Sequence, residues 1–288
     1  MRSLTIASPA KVNLFLRVLG RRPDGYHELV TLFHRISLCD QLRLKKIRRP
    51  SFRLVTSGLK LGPARANLIY KAFQALRKVA SWEGGVEVTL EKRIPVAAGL
   101  GGGSSNAAHF LLGMNRLFQL GLSGRALIRM GALLGSDIPF FLYEVNQAVG
   151  TGRGEKIKPL ASSRKFWFVL VVQSIGIPTS RVYQRLGAPP LTRISRAVTI
   201  TSALSAQVKK GAQDHYLHND LFAAGCSIRP ELRQIDLLFD ELGASRRLMS
   251  GSGPTLFSIH RSKREAEHIA RRIRRRMRSV DVFVCHTV

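Results

Sequence analysis

Cysteine is scarce in this chain: Cys39, Cys226 and Cys285 are widely spaced and odd in number. They form no metal-binding or redox pattern, which fits a reducing cytoplasm rather than a disulfide framework. Long apolar runs are missing too; the conspicuous one, Phe166 to Val172, falls far short of a membrane span. No secretory apolar stretch precedes Pro9 and Lys11, so no signal peptide is expected. Internal repeats and low-complexity linkers are also absent. At 288 residues and 45% apolar content, the chain reads as globular, with core enough for one large domain or two modest ones.

Acidic residues are few, 18 against 46 basic ones, a formal charge of +28. Nucleic-acid binding is the first suspicion such a balance raises. The excess is spread, however: Arg261 to Arg278 holds nine basic and two acidic residues, and +21 lies elsewhere. A binding patch would concentrate the charge more than this. Solvated basic faces that also attract polyphosphate ligands are the plainer reading. An RNA-binding protein remains the rival class, with the basic segment near the C-terminus as its contact.

What the chain does have is a glycine loop. Pro95-Val96-Ala97-Ala98-Gly99-Leu100-Gly101-Gly102-Gly103-Ser104-Ser105 carries four glycines in five residues, too flexible for a strand or helix interior. Before it, Val86, Val88 and Leu90 alternate with polar residues as a strand does. After it, Ala107, Ala108, Leu111, Met114 and Phe118 recur at helical spacing, with Ser104 or Ser105 suited to the N-cap. Strand, glycine loop and helix N-terminus make an anion site, phosphate being the natural guest. Without a lysine between Pro95 and Arg116 the loop is no Walker A motif. With Ser104 where the dinucleotide fingerprint needs a glycine, it is not that either. The protein-kinase signatures are absent as well.

Along the chain, Val12, Leu14, Leu16 and Val18 alternate with Lys11, Asn13, Phe15 and Arg17, so Lys11 and Asn13 share one strand face. A turn at Pro23-Asp24-Gly25 then presents Tyr26 and His27, and Leu29 to Leu44 reads as strand. A helix is expected over Asn67 to Val79, with Leu68, Ala72, Ala75, Leu76 and Val79 buried. Another should run from Ser123 to about Leu134, burying Ala126, Leu127, Met130, Leu133 and Leu134. It stops at Gly135-Ser136-Asp137-Ile138-Pro139, leaving Asp137 at a helix exit, where the dipole disfavours a carboxylate. Gly150 to Glu155 is a second glycine cluster and a plausible domain junction, and Phe166 to Val172 reads as a buried strand. Helices are expected over Thr192 to Lys210, Pro230 to Leu242 and from Ser262 onward, the last opened by a Ser262/Glu265 capping box. The polar stretch Asp214 to Asp220 carries no motif, and Val280 to Cys285 closes the chain as a strand.

The glycine loop, together with Ser8-Pro9-Ala10-Lys11-Val12-Asn13-Leu14 near the start and Gly251-Ser252-Gly253-Pro254-Thr255-Leu256-Phe257 near the end, resembles the three motifs of the GHMP kinases. They occur in that family's order. Arg22-Pro23-Asp24-Gly25-Tyr26-His27-Glu28-Leu29, Asn67-Leu68-Ile69 and Gly135 to Pro139 resemble the branch acting on a cytidine-diphosphate-linked methylerythritol, in the non-mevalonate route to isoprenoid precursors. The resemblance implies an α+β, two-domain fold with a ribosomal-protein-like N-terminal domain over 1–155, a smaller α+β domain over 156–288, and an active site in the cleft between them. It implies ATP as co-substrate with Mg2+, and phosphorylation of a tertiary 2-hydroxyl.

By motif match, Lys11 and Asp137 correspond to the family's catalytic pair, the aspartate taking the hydroxyl proton and the lysine holding it ionised. The residues from Pro95 to Ser105 would cradle the ATP phosphates, with Asn67 and Lys92 near the adenosine. Asn13, Tyr26, His27, Thr179 and Tyr183 match substrate positions, Tyr26 and Tyr183 facing each other across the base. The implied protein is cytoplasmic, a monomer or homodimer, with a small-molecule substrate and neither a membrane nor a specific nucleic acid as partner. Homoserine- or mevalonate-type kinases of the same superfamily are the near alternative, and Tyr26-His27 argues against them, because an uncapped alcohol needs no base-stacking pocket. Four positions at three places depart from the family's habit. Ala66 stands where aspartate is usual, Ala97-Ala98 where the loop is often richer in glycine, and Tyr183 where phenylalanine is common.

Overall fold

The structure is a computed structural model that describes residues 2–63, 66–161, 165–174, 176–188, 195–210 and 216–288. It divides into two compact units, each discontinuous in sequence. The first comprises Met1–Ala10, Leu38–Val96 and Gly101–Glu144; the second comprises Lys11–Ser37, Ala97–Leu100 and Val145–Val288. Two long strands, β1 (Ser3–Arg21) and β2 (His27–Ile47), contribute residues to both.

In the first unit, β3 (Phe52–Gly58) pairs parallel with β4 (Gly85–Lys92), and β4 pairs antiparallel with the end of β2, from Gln41↔Glu91 to Ile47↔Gly85. Four helices belong to this unit: α1 (Leu68–Val79), α2 (Gly102–Phe118), α3 (Gly124–Leu134) and α4 (Ile138–Leu142). Strand alternation buries Leu42, Leu44, Val86, Val88 and Leu90, and the helices bury Ala72, Leu76, Phe110, Leu111 and Met114. Gly113 lets α2 approach closely: a Cβ there would collide with the side chains of Leu44 and Ile6.

Several local expectations change in this unit. Helix α2 begins at Gly102, earlier than the serines, with Gly101 as its left-handed N-cap. The glycines can therefore enter the helix itself, and Ser105 is wholly buried. In α1 the buried stripe is Ile69, Ala72 and Leu76, while Val79 is exposed; in α3 Leu127 and Gly131 are buried and Leu133 is 89% exposed. Both shifts are one-residue rotations of the apolar face, which short helices permit because few contacts fix their phase. The apolar run after Asp137 is the helix α4, so Asp137 sits at a helix N-terminus, not only past a C-terminus. The dipole conflict expected from sequence is thereby removed.

In the second unit, the start of β2 pairs antiparallel with β5 (Gln147–Gly152), which forms a hairpin with β6 (Lys156–Leu160). The second glycine cluster forms the end of β5 and the turn of this hairpin. A four-stranded antiparallel sheet follows, in the order β11 (Val280–His286), β7 (Trp167–Gln173), β10 (Leu256–His260), β9 (Arg247–Met249). The helices of this unit are α5 (Thr179–Leu186), α6 (Ser195–Lys209), α7 (Leu221–Ile228), α8 (Glu231–Glu241) and α9 (Lys263–Arg276). Val169, Val171 and Leu256 of the sheet share one core with Leu232, Ile235 and Phe239 of α8 and with Ala266, Ile269, Ala270 and Ile273 of α9. The amphipathic basic segment is thus a packed helix, not a tail. Ser262 caps it by accepting from Glu265 N at 3.2 Å. The return bond of the expected capping box goes elsewhere, since the Glu265 carboxylate accepts from Arg261 N and contacts the His260 ring.

Strand β1 is buried on both faces from Ala10 to Leu16, so its alternation does not separate core from solvent. Helices α5 and α7 were not legible as periodic segments, being only eight residues each. Of the helix expected over Thr192 to Lys210, the first three residues lie outside the described ones, as does Asp214. Among the described residues no helix is long and apolar enough to cross a membrane.

Candidate active site

The residues singled out by motif fall into a group in each unit. In the second unit the organising side chain is Lys11, 3% exposed. Its ammonium donates to Asn13 Oδ1 at 2.7 Å and to the Gly99 carbonyl at 3.0 Å, while its backbone N–H donates to the Leu100 carbonyl at 3.0 Å. Both ends of the lysine are therefore fastened to the glycine loop. Asn13 is held in turn, its amide donating to Thr31 Oγ1 at 2.7 Å. The period of two that put Lys11 and Asn13 side by side on β1 is what allows this bond.

The third glycine motif closes on the same point. Ser250 Oγ donates to Gly99 O at 2.9 Å. Gly251 has φ of +57°, and a Cβ on it would stand 3.3 Å from Asn13 Oδ1 and 3.5 Å from Lys11 Nζ. Glycine satisfies both demands at once, the left-handed backbone and the missing side chain. Ser250 itself was not among the expected site residues. The only sequence signal for it is its place immediately before Gly251.

Further along, Thr179, the first residue of α5, shares a hydrogen bond with Ser252 at 2.9 Å. One helical turn later, Tyr183 packs against His27, with ring centroids 4.8 Å apart. Tyr26 is 54% exposed and has the Arg153 guanidinium 4.6 Å from its ring centre. Burial, then the charge of Arg21, hold the His27 imidazole below its ordinary pKa, which keeps it neutral at pH 7.

In the first unit the N-terminal turn of α2 is the centre. Gly102 lies over Lys92, whose Nζ would be 3.0 Å from a Cβ there, and Gly103 faces the Leu68 side chain at the start of α1. Asn67 is the N-cap of α1, its side chain accepting from Ile69 N at 2.9 Å. Lys92 is ion-paired with Asp40; burial pushes its ammonium below the usual pKa, and Asp40 opposes that shift. Gly135, two residues before Asp137, has Ser104 Oγ within 4 Å of its Cβ direction. So Lys92, the Leu68 that follows Asn67, and the Gly135 two residues before Asp137 all border the first turn of one helix. That turn also offers unpaired backbone N–H groups to an anion. Ser105 does not face the loop mouth: its hydroxyl accepts from Ser8 Oγ at 2.8 Å inside the core. Among the described residues no three His, Cys, Asp or Glu side chains form a metal cage.

The family described as "GHMP kinases N terminal domain" matches residues 67–144, and "GHMP kinases C terminal" matches residues 211–279. The 4-diphosphocytidyl-2-C-methyl-D-erythritol kinase of Moorella thermoacetica is 41% identical over 276 residues, covering 95% of each chain. That of Syntrophus aciditrophicus is 41% identical over 267 residues, covering 92% of each. A crystal structure of 4-(cytidine 5'-diphospho)-2C-methyl-D-erythritol kinase superposes with a TM-score of 0.80 at 33% identity, covering 98% of each chain. A homoserine kinase from Cytophaga hutchinsonii shares the fold at a TM-score of 0.74 and 17% identity, covering 100% of this chain and 95% of that one. With its α+β architecture, its three sequence motifs and these relatives, the chain belongs to the GHMP kinases, and within them to the 4-diphosphocytidyl-2-C-methyl-D-erythritol kinase family.

Proposed function

We propose that this protein transfers the γ-phosphoryl group of ATP to the 2-hydroxyl of 4-(cytidine 5'-diphospho)-2-C-methyl-D-erythritol, in the non-mevalonate route to isoprenoid precursors. The observation that carries the reading is the anchoring of Lys11 by Asn13 and the glycine-loop carbonyl of Gly99, with Gly251 packed against it. A cation so fixed is pre-organised to steady charge on a transferring phosphoryl group.

Asp137 acts as the general base. It takes the proton as the substrate oxygen bonds to phosphorus and the bridge to ADP breaks. The loop from Pro95 to Ser105 holds the phosphates, chiefly through the N–H groups at the start of α2. Asn67 and Lys92 serve the nucleotide side by fixing the start of α1 and the floor beneath Gly102. A magnesium ion would be held largely by the nucleotide's phosphate oxygens and water, and would supply charge neutralisation there. On the acceptor side Tyr26 and Tyr183 take the cytosine ring between them. Neutral His27 accepts from the base's amino group, with Asn13 and Thr179 placing the methylerythritol.

The same reading sets a domain boundary at residues 155/156, between an N-terminal family match that ends at residue 144 and a C-terminal one that starts at 211, although Val145–Val288 falls in one compact unit. It also makes the enzyme cytoplasmic, in line with three free cysteines, monomeric or homodimeric, and without a specific nucleic-acid partner. ADP release with the cytidine substrate, set against homoserine and mevalonate, tests the function. Turnover with the cytidine substrate alone is expected, and none with it overturns the reading. Asp137→Asn is expected to lower kcat by about 10²- to 10⁴-fold with KM little changed; near-normal turnover removes Asp137 as the base.

A further inference from the structure

The polar stretch before Asp220, which the motifs leave without a role, contains one side chain that ties the third glycine motif to the strand carrying Lys11. Asn219 is 8% exposed and lies on β8 (His218–Asn219), which pairs parallel with β1 at Phe15↔His218 and Leu16↔Asn219. The neighbouring Asp220 secures this register, its N–H donating to Leu16 O at 3.0 Å and its carboxylate accepting from Val18 N at 2.8 Å. Asn219 then spends both amide protons on the glycine motif, donating to Met249 O and to Gly251 O at 2.8 Å each. Its Oδ1 accepts from Leu221 N at 2.9 Å.

Between those two carbonyls lies Ser250, whose hydroxyl bonds the same Gly99 carbonyl that receives the Lys11 ammonium. Gly251 itself abuts Lys11 Nζ and Asn13 Oδ1. We infer that Asn219 is a positioning residue for Lys11: it clamps residues 249–251 so that Ser250 and Gly251 hold the Gly99 carbonyl and the ammonium in one arrangement. The asparagine amide suits the task, with two N–H donors and one acceptor. Aspartate would turn a carboxylate toward two carbonyl oxygens, and leucine would leave both carbonyls buried without a donor.

The inference rests on the reading of Lys11 as catalytic, and a double-mutant cycle separates the two. Steady-state kinetics would be measured for wild type, Asn219→Ala, Lys11→Ala and the double variant. The expectation for Asn219→Ala is a kcat about 10- to 100-fold lower, with KM for the cytidine substrate within about two-fold. The double variant should be no slower than Lys11→Ala, because a residue acting only through Lys11 has nothing left to position. A merely structural role would instead reduce the active fraction, and the two losses would multiply. Multiplying losses, or an Asn219→Ala enzyme with unchanged kcat, overturn the inference while leaving Lys11 in place. Full activity in Lys11→Ala overturns the Lys11 reading and this inference with it. Asn219→Ser, which keeps one hydroxyl donor, replaces the alanine variant in the cycle if the latter does not fold, with the same outcomes.

Discussion

The Lys92 ammonium is ion-paired with the Asp40 carboxylate inside the first unit, at side-chain exposures of 3% and 0%. Asp40 also accepts from Arg93 N at 2.7 Å, Ile94 N at 2.8 Å and Asn106 Nδ2 at 2.8 Å. One carboxylate thus joins β2, the end of β4 and the first turns of α2, beneath the glycine loop. Removing one member should strand the other as a buried charge, at a cost of about 3–5 kcal/mol. Lys92→Met and Asp40→Leu are each expected to lower the urea midpoint strongly. The double variant should recover part of the loss, and a Lys92→Met protein as stable as wild type would contradict the arrangement.

Ala97 departs from the glycine-richer habit of related loops, and its backbone shows the consequence, with φ of +53°. A left-handed conformation costs a residue with a Cβ about 1–2 kcal/mol. Ala97→Gly should relieve most of this against glycine's own entropy, for a net gain of up to about 1 kcal/mol. Thermal unfolding measures it; a loss of stability would mean that the methyl, which packs toward Gly176, outweighs the strain.

His34 is fully buried and its pKa is depressed to about 4 by desolvation. It faces Gln147 across the β2–β5 ladder and lies against the rings of Phe166 and Phe168. Between pH 6.5 and about 4 the unfolded chain binds a proton here that the folded chain does not, so stability rises with pH across that window. The contribution is complete above pH 6.5 and is lost as the pH falls toward 4, about 3 kcal/mol in all. Unfolding free energies at pH 7 and pH 4.5 should differ less in His34→Phe than in wild type. Equal differences would show that His34 carries none of the slope.

Tyr183 packs tilted against His27 with ring centroids 4.8 Å apart, so truncating it exposes the imidazole as well as removing the ring proposed to face the base. Tyr183→Ala is expected to raise KM for the cytidine substrate by about 10-fold, while KM for ATP stays within about two-fold. Tyr183→Phe should behave as wild type, since phenylalanine supplies the same stacking face. A Tyr183→Ala enzyme with unaltered KM would remove this residue from the substrate side.

Part of the candidate site's local geometry was legible in the sequence. That Lys11 and Asn13 lie side by side follows from strand alternation, and the glycine loop leading into a helix follows from four glycines between a strand pattern and a helix pattern. Other members carried no local signal. Asp40 is a lone aspartate within a long strand, Ser250 a serine beside a glycine, and Asn219 one polar residue among several. Each matters through partners far away in sequence, such as Asn106 for Asp40 and Gly99 for Ser250. The phase of α1 and α3 was misjudged for a related reason: which apolar residue of a short helix is buried depends on what packs over it.

The amino-acid sequence by itself determined the elements whose cause is local. These are the alternation of β4, the cap of α1 at Asn67, the amphipathic face of α9, and a loop whose glycines free its backbone to turn into a helix. Tertiary structure alone decided that Asp137 begins a helix as well as following one, that Ser105 turns inward to Ser8, and which carbonyls surround the Lys11 ammonium. The physical difference is one of range: propensity and periodicity act over a few residues, whereas burial and hydrogen-bond completion are settled by groups that only folding brings together. The glycine loop shows both at once. Its flexibility is written in its composition, but its course is set by bonds to Lys11 and Ser250 from opposite ends of the chain.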